Sequence, residues 1–138
     1  MPDYADTVIW FMSPVPYPET GLSPQLVARL EAWEAAYYDA LTPDFEWVSP
    51  DSPRALNDEG RVLADAVAAE IGRDFDVEWI EFGEDVAWPR TRSHAPATNP
   101  DAHAAFVALV QRAFAEHDEI ARSGDLEWFA SFPSAPFR

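Results

Sequence analysis

Apolar residues change their spacing from one stretch of the chain to the next, and each spacing predicts an element. Val8, Ile9, Trp10, Phe11 and Met12 run without interruption, which predicts a strand over 6–12 covered on both faces and therefore central in its sheet. Ser13-Pro14-Val15-Pro16-Tyr17-Pro18 follows; prolines at alternate positions stop the strand and favour a stiff, extended connector. Leu26, Leu30, Trp33, Tyr37 and Leu41 then recur at steps of four, three, four and four, behind a Ser23 N-cap with Pro24 at the first helical position. Pro43 ends this helix. Leu56, Gly60, Leu63, Val67 and Ile71 repeat the same steps after Ser52-Pro53, and Gly72 supplies the stop. Gly60 on the apolar stripe predicts close approach of another backbone.

Between these helices, residues 42–53 are turn-formers that also hold Phe45 and Trp47, rings expected to pin the loop to the body. Further on, Phe75, Val77 and Trp79 alternate with Asp76 and Glu78, the period of a half-exposed strand over 75–82 with its acids outward. Gly83-Glu84-Asp85 turns the chain into a short partner, Val86-Ala87-Trp88, before Pro89 breaks it, and 90–97 is read as a loop. Asn99-Pro100-Asp101 opens a third helix carrying Phe106, Val110, Ala113, Phe114, Ile120 and Ala121 on one side, closed by Ser123-Gly124. Leu126 to Phe132 adds an edge strand, and a flexible tail follows from about 133. The order predicts one domain over 1–138 of the α/β (α+β) class, with a small two- to four-stranded sheet and three packed helices.

Composition supports order: 48% hydrophobic and 14% aromatic residues are ample for one core in 138 residues. The absence of cysteine removes disulfides and thiolate metal sites and points to the cytoplasm. The acidic start Asp3-Tyr4-Ala5-Asp6 and the shortness of the first apolar run argue against a secretion signal or membrane span. What changes the picture is charge. The formal net charge is -16, and all nine basic residues are arginine. A field of that sign repels nucleic-acid phosphates and anionic lipid, so neither is expected as a direct partner. It suits solubility, and it also suits a basic protein partner.

The sequence carries no phosphate loop, nucleophile elbow, zinc-protease motif or dinucleotide fingerprint, so no catalytic residue is assigned and no metal or cofactor is expected. Three looser groupings remain. His103 and His117, fourteen residues apart on one helix, are too distant to share a metal and read as boundary histidines. Asp74, Asp76, Glu78, Glu81, Glu84 and Asp85 place six carboxylates within twelve residues. Asp76 and Glu78 on one strand face stand roughly 7 Å apart, a stripe rather than an oxygen cage. This run is the candidate partner-binding face, with Glu31, Glu34 and Asp39 as a second rim. Trp88, Arg90, Arg92 and His94 form the alternative, an anion site built from guanidinium forks beside a flat ring. The plainer reading is that these arginines neutralise nearby carboxylates.

The pattern Leu30-x-x-Trp33-x-x-x-Tyr37, followed by Glu59-Gly60-Arg61-x-Leu63-Ala64, Glu70-Ile71-Gly72 and Val77-Glu78-Trp79, resembles a family of small uncharacterised proteins from high-GC bacteria and their phages. The resemblance covers roughly residues 24 to 80, mostly core positions, caps and one glycine. It implies the helix, helix, strand order and no activity. In charge and size the chain is also similar to toxin-neutralising immunity proteins and phage-encoded inhibitors, a likeness of type rather than motif. Three functions stay open. One is an interaction protein, monomeric or homodimeric, that binds and blocks a basic nucleic-acid-binding or toxin-like protein. The others are a small enzyme or binding domain for an anionic metabolite, and an oligomer subunit that buries Trp128, Phe129 and Phe132.

Overall fold

The computed structural model describes residues 7–11 and 13–123, with side chains described to residue 116 except at Ser13. The expected strand over 126–132, the tail from 133, Met12 and the His117, Ile120 and Ala121 side chains lie outside the described residues. Those described form an α+β fold: β1 (Trp10–Phe11), β2 (Ser13–Pro14), α1 (Tyr17–Thr20), α2 (Pro24–Asp39), α3 (Ser52–Ile71), β3 (Val77–Glu78), β4 (Arg90–Thr91) and α4 (Pro100–Ser123).

The apolar run near the amino end is buried, but not as the central strand its composition suggested. β1 turns back at once and pairs antiparallel with β2, Trp10 opposite Pro14 and Phe11 opposite Ser13. Side-chain oxygens stand in for the missing sheet neighbours. The Val8 amide donates to the Tyr17 hydroxyl at 3.2 Å and the Ile9 amide to Thr7 Oγ1 at 3.1 Å. Val8, Ile9, Phe11 and Val15 therefore enter the core from a short two-stranded ladder, which the Val15 amide extends by donating to the Ile9 carbonyl at 2.8 Å. The proline-rich connector is likewise shorter than expected: Ser13-Pro14 belongs to the ladder, and Pro18 lies in the first turn of α1. That fourth, one-turn helix ends on Gly21 at φ +66°, where a Cβ would stand 2.6 Å from the Asp101 carbonyl oxygen.

α2 and α3 form where the spacing places them, except that α2 ends at Asp39, so Leu41, expected on its stripe, lies beyond the helix in a bridge with Trp47. Ser23 caps α2 by accepting the Leu26 amide at 3.3 Å, and Leu26, Leu30, Trp33 and Tyr37 are its buried stripe. α3 buries Leu56, Gly60, Leu63, Val67 and Ile71 with Ala64 and Ala68. It lies at the centre, touching α2, α4, β3 and β4. What approaches Gly60 is the Trp33 ring, with no backbone among its nearest neighbours; a Cβ there would meet Trp33 Nε1 at 3.6 Å, ordinary contact. Trp33 Nε1 also donates to the Leu56 carbonyl at 3.0 Å, tying α2 to α3. α4 buries Ala102, Phe106 and Ala113, whereas Phe114, expected on the same apolar side, is 56% exposed.

Glu70 joins three helices. It lies in the last turn of α3, where its charge opposes that helix's own dipole, yet it faces the amino ends of two others. Its carboxylate accepts from the Ser23 amide at 2.8 Å, the Ser23 hydroxyl at 2.6 Å and Asn99 Nδ2 at 2.9 Å. Ser23 caps α2; Asn99 caps α4 by accepting the Ala102 amide at 3.3 Å. The Thr98 and Asn99 amides cover the Ala69 and Glu70 carbonyls at the end of α3, so the chain entering α4 caps the helix it crosses.

Candidate functional site

β3 and β4 are the base of a hairpin that stands on α3. Val77 lies opposite Thr91, Glu78 opposite Arg90, and the bridge between Glu81 and Ala87 continues the same register toward the tip. The partner strand thus extends past Pro89, because the ladder uses the Pro89 carbonyl, which accepts from the Trp79 amide at 3.1 Å, and not the amide hydrogen proline lacks. Asn57 on α3 clasps the far end. Its side-chain amide donates to the Phe82 carbonyl and accepts from the Phe82 amide, both at 2.8 Å.

This register decides where the acidic run goes. Asp76 meets Arg92 Nε at 2.6 Å and Glu78 meets Arg90 Nε at 2.9 Å, two ion pairs side by side on the outer face. Glu81 pairs with Arg61 of α3 at 3.2 Å, and the exposed Asp74 lies 2.9 Å from His103 Nε2 on α4. Glu84 and Asp85 project from the exposed tip. The Arg92 hydrogen bond holds the Asp76 carboxyl below the usual carboxylate range; partial burial opposes this, and the Arg92 and Arg90 charges add to it. The same bond raises the Arg92 guanidinium.

Trp88, Arg90 and Arg92 alternate onto one hairpin face, as the anion site requires, and His94 is exposed in the turn beyond β4. Both arginines, however, direct their Nε groups at carboxylates. A groove of about 430 Å3 runs between α2 and α3, walled by alanines 32, 36, 40 and 55 with Trp33 and Leu56. The cation on its rim, Arg29, is paired with Glu59 at 3.3 Å. Glu31 and Asp39 are exposed on α2, while Glu34 is half-buried near Tyr17, whose phenol is raised chiefly by burial. Among the described residues, no group of three or more histidines, aspartates and glutamates is placed to hold a metal.

A second surface feature lies beside the hairpin. The 42–48 loop closes through Thr42 amide to Glu46 carbonyl at 2.7 Å and Phe45 amide to Thr42 carbonyl at 2.9 Å, and the Val48 amide donates to Ala40 at its base. Thr42-Pro43-Asp44-Phe45 is a turn with proline at its second position, and Phe45 follows at φ +61°, a left-handed position that usually goes to glycine. Of the two rings expected to pin this loop, only Trp47 does so, packing edge-on against Phe82 at 5.3 Å and Tyr37 at 6.2 Å. Phe45 points outward, 72% exposed. The proline turn is visible in the sequence; the outward aromatic is not, because a ring in a loop reads equally as an anchor.

A family model described as Serratia CdiI immunity protein-like matches residues 1–82. That is more than half of the 138 residues. The chain belongs to the Serratia CdiI immunity protein-like family. The match spans α1, α2 and α3 and ends at Phe82, where Asn57 holds the hairpin. The likeness of type to immunity proteins is therefore a family relation. No curated protein and no solved structure matches the chain. No described helix is long and apolar enough to cross a membrane.

Proposed function

We propose that this chain is an immunity protein that binds a toxin and blocks it, acting in the cytoplasm as a monomer or homodimer on a basic toxin surface. The observation that carries the reading is membership of the immunity protein-like family over residues 1–82. The basic character of the partner rests on the net charge of -16, which would speed encounter with a cationic surface and slow it with added salt. The hairpin run Asp74, Asp76, Glu78, Glu81, Glu84 and Asp85 is the proposed acidic rim. Asp74, Glu84 and Asp85 are exposed, and the paired carboxylates keep lone pairs that an incoming arginine can share.

The test is growth rescue. Cells expressing the chain are challenged with a panel of bacterial toxin domains expressed one at a time, and a neutralised domain is purified for binding at several salt concentrations. Rescue from at least one domain, with association slowing as salt rises, is expected. A chain that rescues from none overturns the reading. Rescue with salt-independent association, or with binding unchanged after charge reversal at Asp76, Glu78, Glu84 and Asp85, removes the acidic rim and the basic partner while leaving the immunity role.

A further inference from the structure

We infer that the face the toxin covers is built by the 42–48 loop and the neighbouring hairpin tip, with Phe45 as the residue that inserts into the partner. The inference rests on the immunity reading and adds the surface. Phe45, Val48 and Val86 are exposed by 72%, 59% and 53% on two segments joined where Trp47 packs on Phe82. Trp47 and Phe82 both pack on the buried Tyr37 ring and the Asn57 side chain clasps the Phe82 backbone, so the exposed side chains stand on segments tied to the body. Such pre-organised aromatics, ringed by polar groups, are what interface centres are enriched in.

The charge around them selects the occupant. Asp44, Glu46 and Asp51 flank Phe45 and Val48, Glu84 and Asp85 precede Val86, and neither 41–51 nor 82–88 contains a lysine or arginine. An apolar centre inside an acidic ring fits a protein surface with an apolar pocket rimmed by lysine or arginine, and opposes another copy of this acidic chain.

The backbone supplies a discriminating experiment. At φ +61° glycine is relaxed and phenylalanine strained, so Phe45→Gly relieves strain and deletes the anchor together. The probe is the toxin domain that the unmodified chain neutralises in the rescue screen. Phe45→Gly and Phe45→Ala are expected to lose growth protection and bind about thirtyfold more weakly. The free Phe45→Gly protein is expected to melt no lower than its parent. Val62→Ala, at an exposed valine on α3, serves as a control that binds normally. Unchanged affinity in both Phe45 variants overturns the inference while the immunity role stands. A Phe45→Gly protein that unfolds well below its parent also overturns it, by showing the ring to be structural. Absence of any neutralised toxin overturns both.

Discussion

Replacing Glu70 by alanine removes the acceptor for the Ser23 amide, the Ser23 hydroxyl and Asn99 Nδ2 together. A hydrogen bond to a charged group is worth about 1.5–3 kcal/mol, and a group left unsatisfied adds to the loss. The three bonds share one carboxylate and Glu70 is only half-buried, so their effects do not add in full. Removing an acid from the carboxyl end of α3 returns a few tenths of a kcal/mol. A net loss of about 3 kcal/mol is therefore expected, a large part of the roughly 5–15 kcal/mol that holds a domain folded. At about 3 to 4 °C per kcal/mol for this length, the melting temperature should fall by roughly 10 °C. Urea unfolding followed by tryptophan fluorescence gives the free energy directly. Glu70→Gln, which keeps one acceptor oxygen, should lose less. If Glu70→Ala stays within about 1 kcal/mol of its parent, the carboxylate does not join the helices and the reasoning fails.

Gly60→Ala should stabilise the chain by about 0.5–1 kcal/mol in urea unfolding, because the new methyl meets Trp33 at ordinary contact distance inside a helix; a loss above 1 kcal/mol would mean the space is not there. Asp76→Asn tests the outer ion pair. The Asp76 carboxyl is held low in the fold, so its contribution is present above the unfolded value of about 4 and is lost as pH falls through the native one. The variant should be slightly less stable at pH 7, by under about 1 kcal/mol, and its stability should fall less steeply below about pH 4. Acid titrations that superimpose would show the pair contributes nothing.

The helices were legible because their signals agree at every level: stripe spacing, Ser23 and Asn99 as caps, Pro24 and Pro100 at first positions, and Gly72 as the stop, where a Cβ would stand 2.6 Å from the Ala97 amide nitrogen. The run from Val8 was misread because a continuous apolar stretch reports burial and not pairing. Its backbone is satisfied by the immediate return into β2 and by the Thr7 and Tyr17 side chains, none of which periodicity reveals. The acidic run was visible as composition, but its pairing depends on a register that places Arg90 and Arg92 opposite Glu78 and Asp76, set by the tip and by the Asn57 clasp. Glu70 carried a recognisable motif without a role, since its partners lie 47 and 29 residues away. Phe45 broke a local rule, an aromatic where the turn favours glycine, and such breaks concentrate at sites kept for function.

The immunity role is tested most directly by titrating the purified chain into a toxin domain from which it rescues growth and measuring the toxin's own activity. The account expects activity to fall to nothing near one equivalent of this chain at low salt, with Phe45→Gly requiring a large excess. Toxin activity that persists undiminished at saturating chain would contradict it.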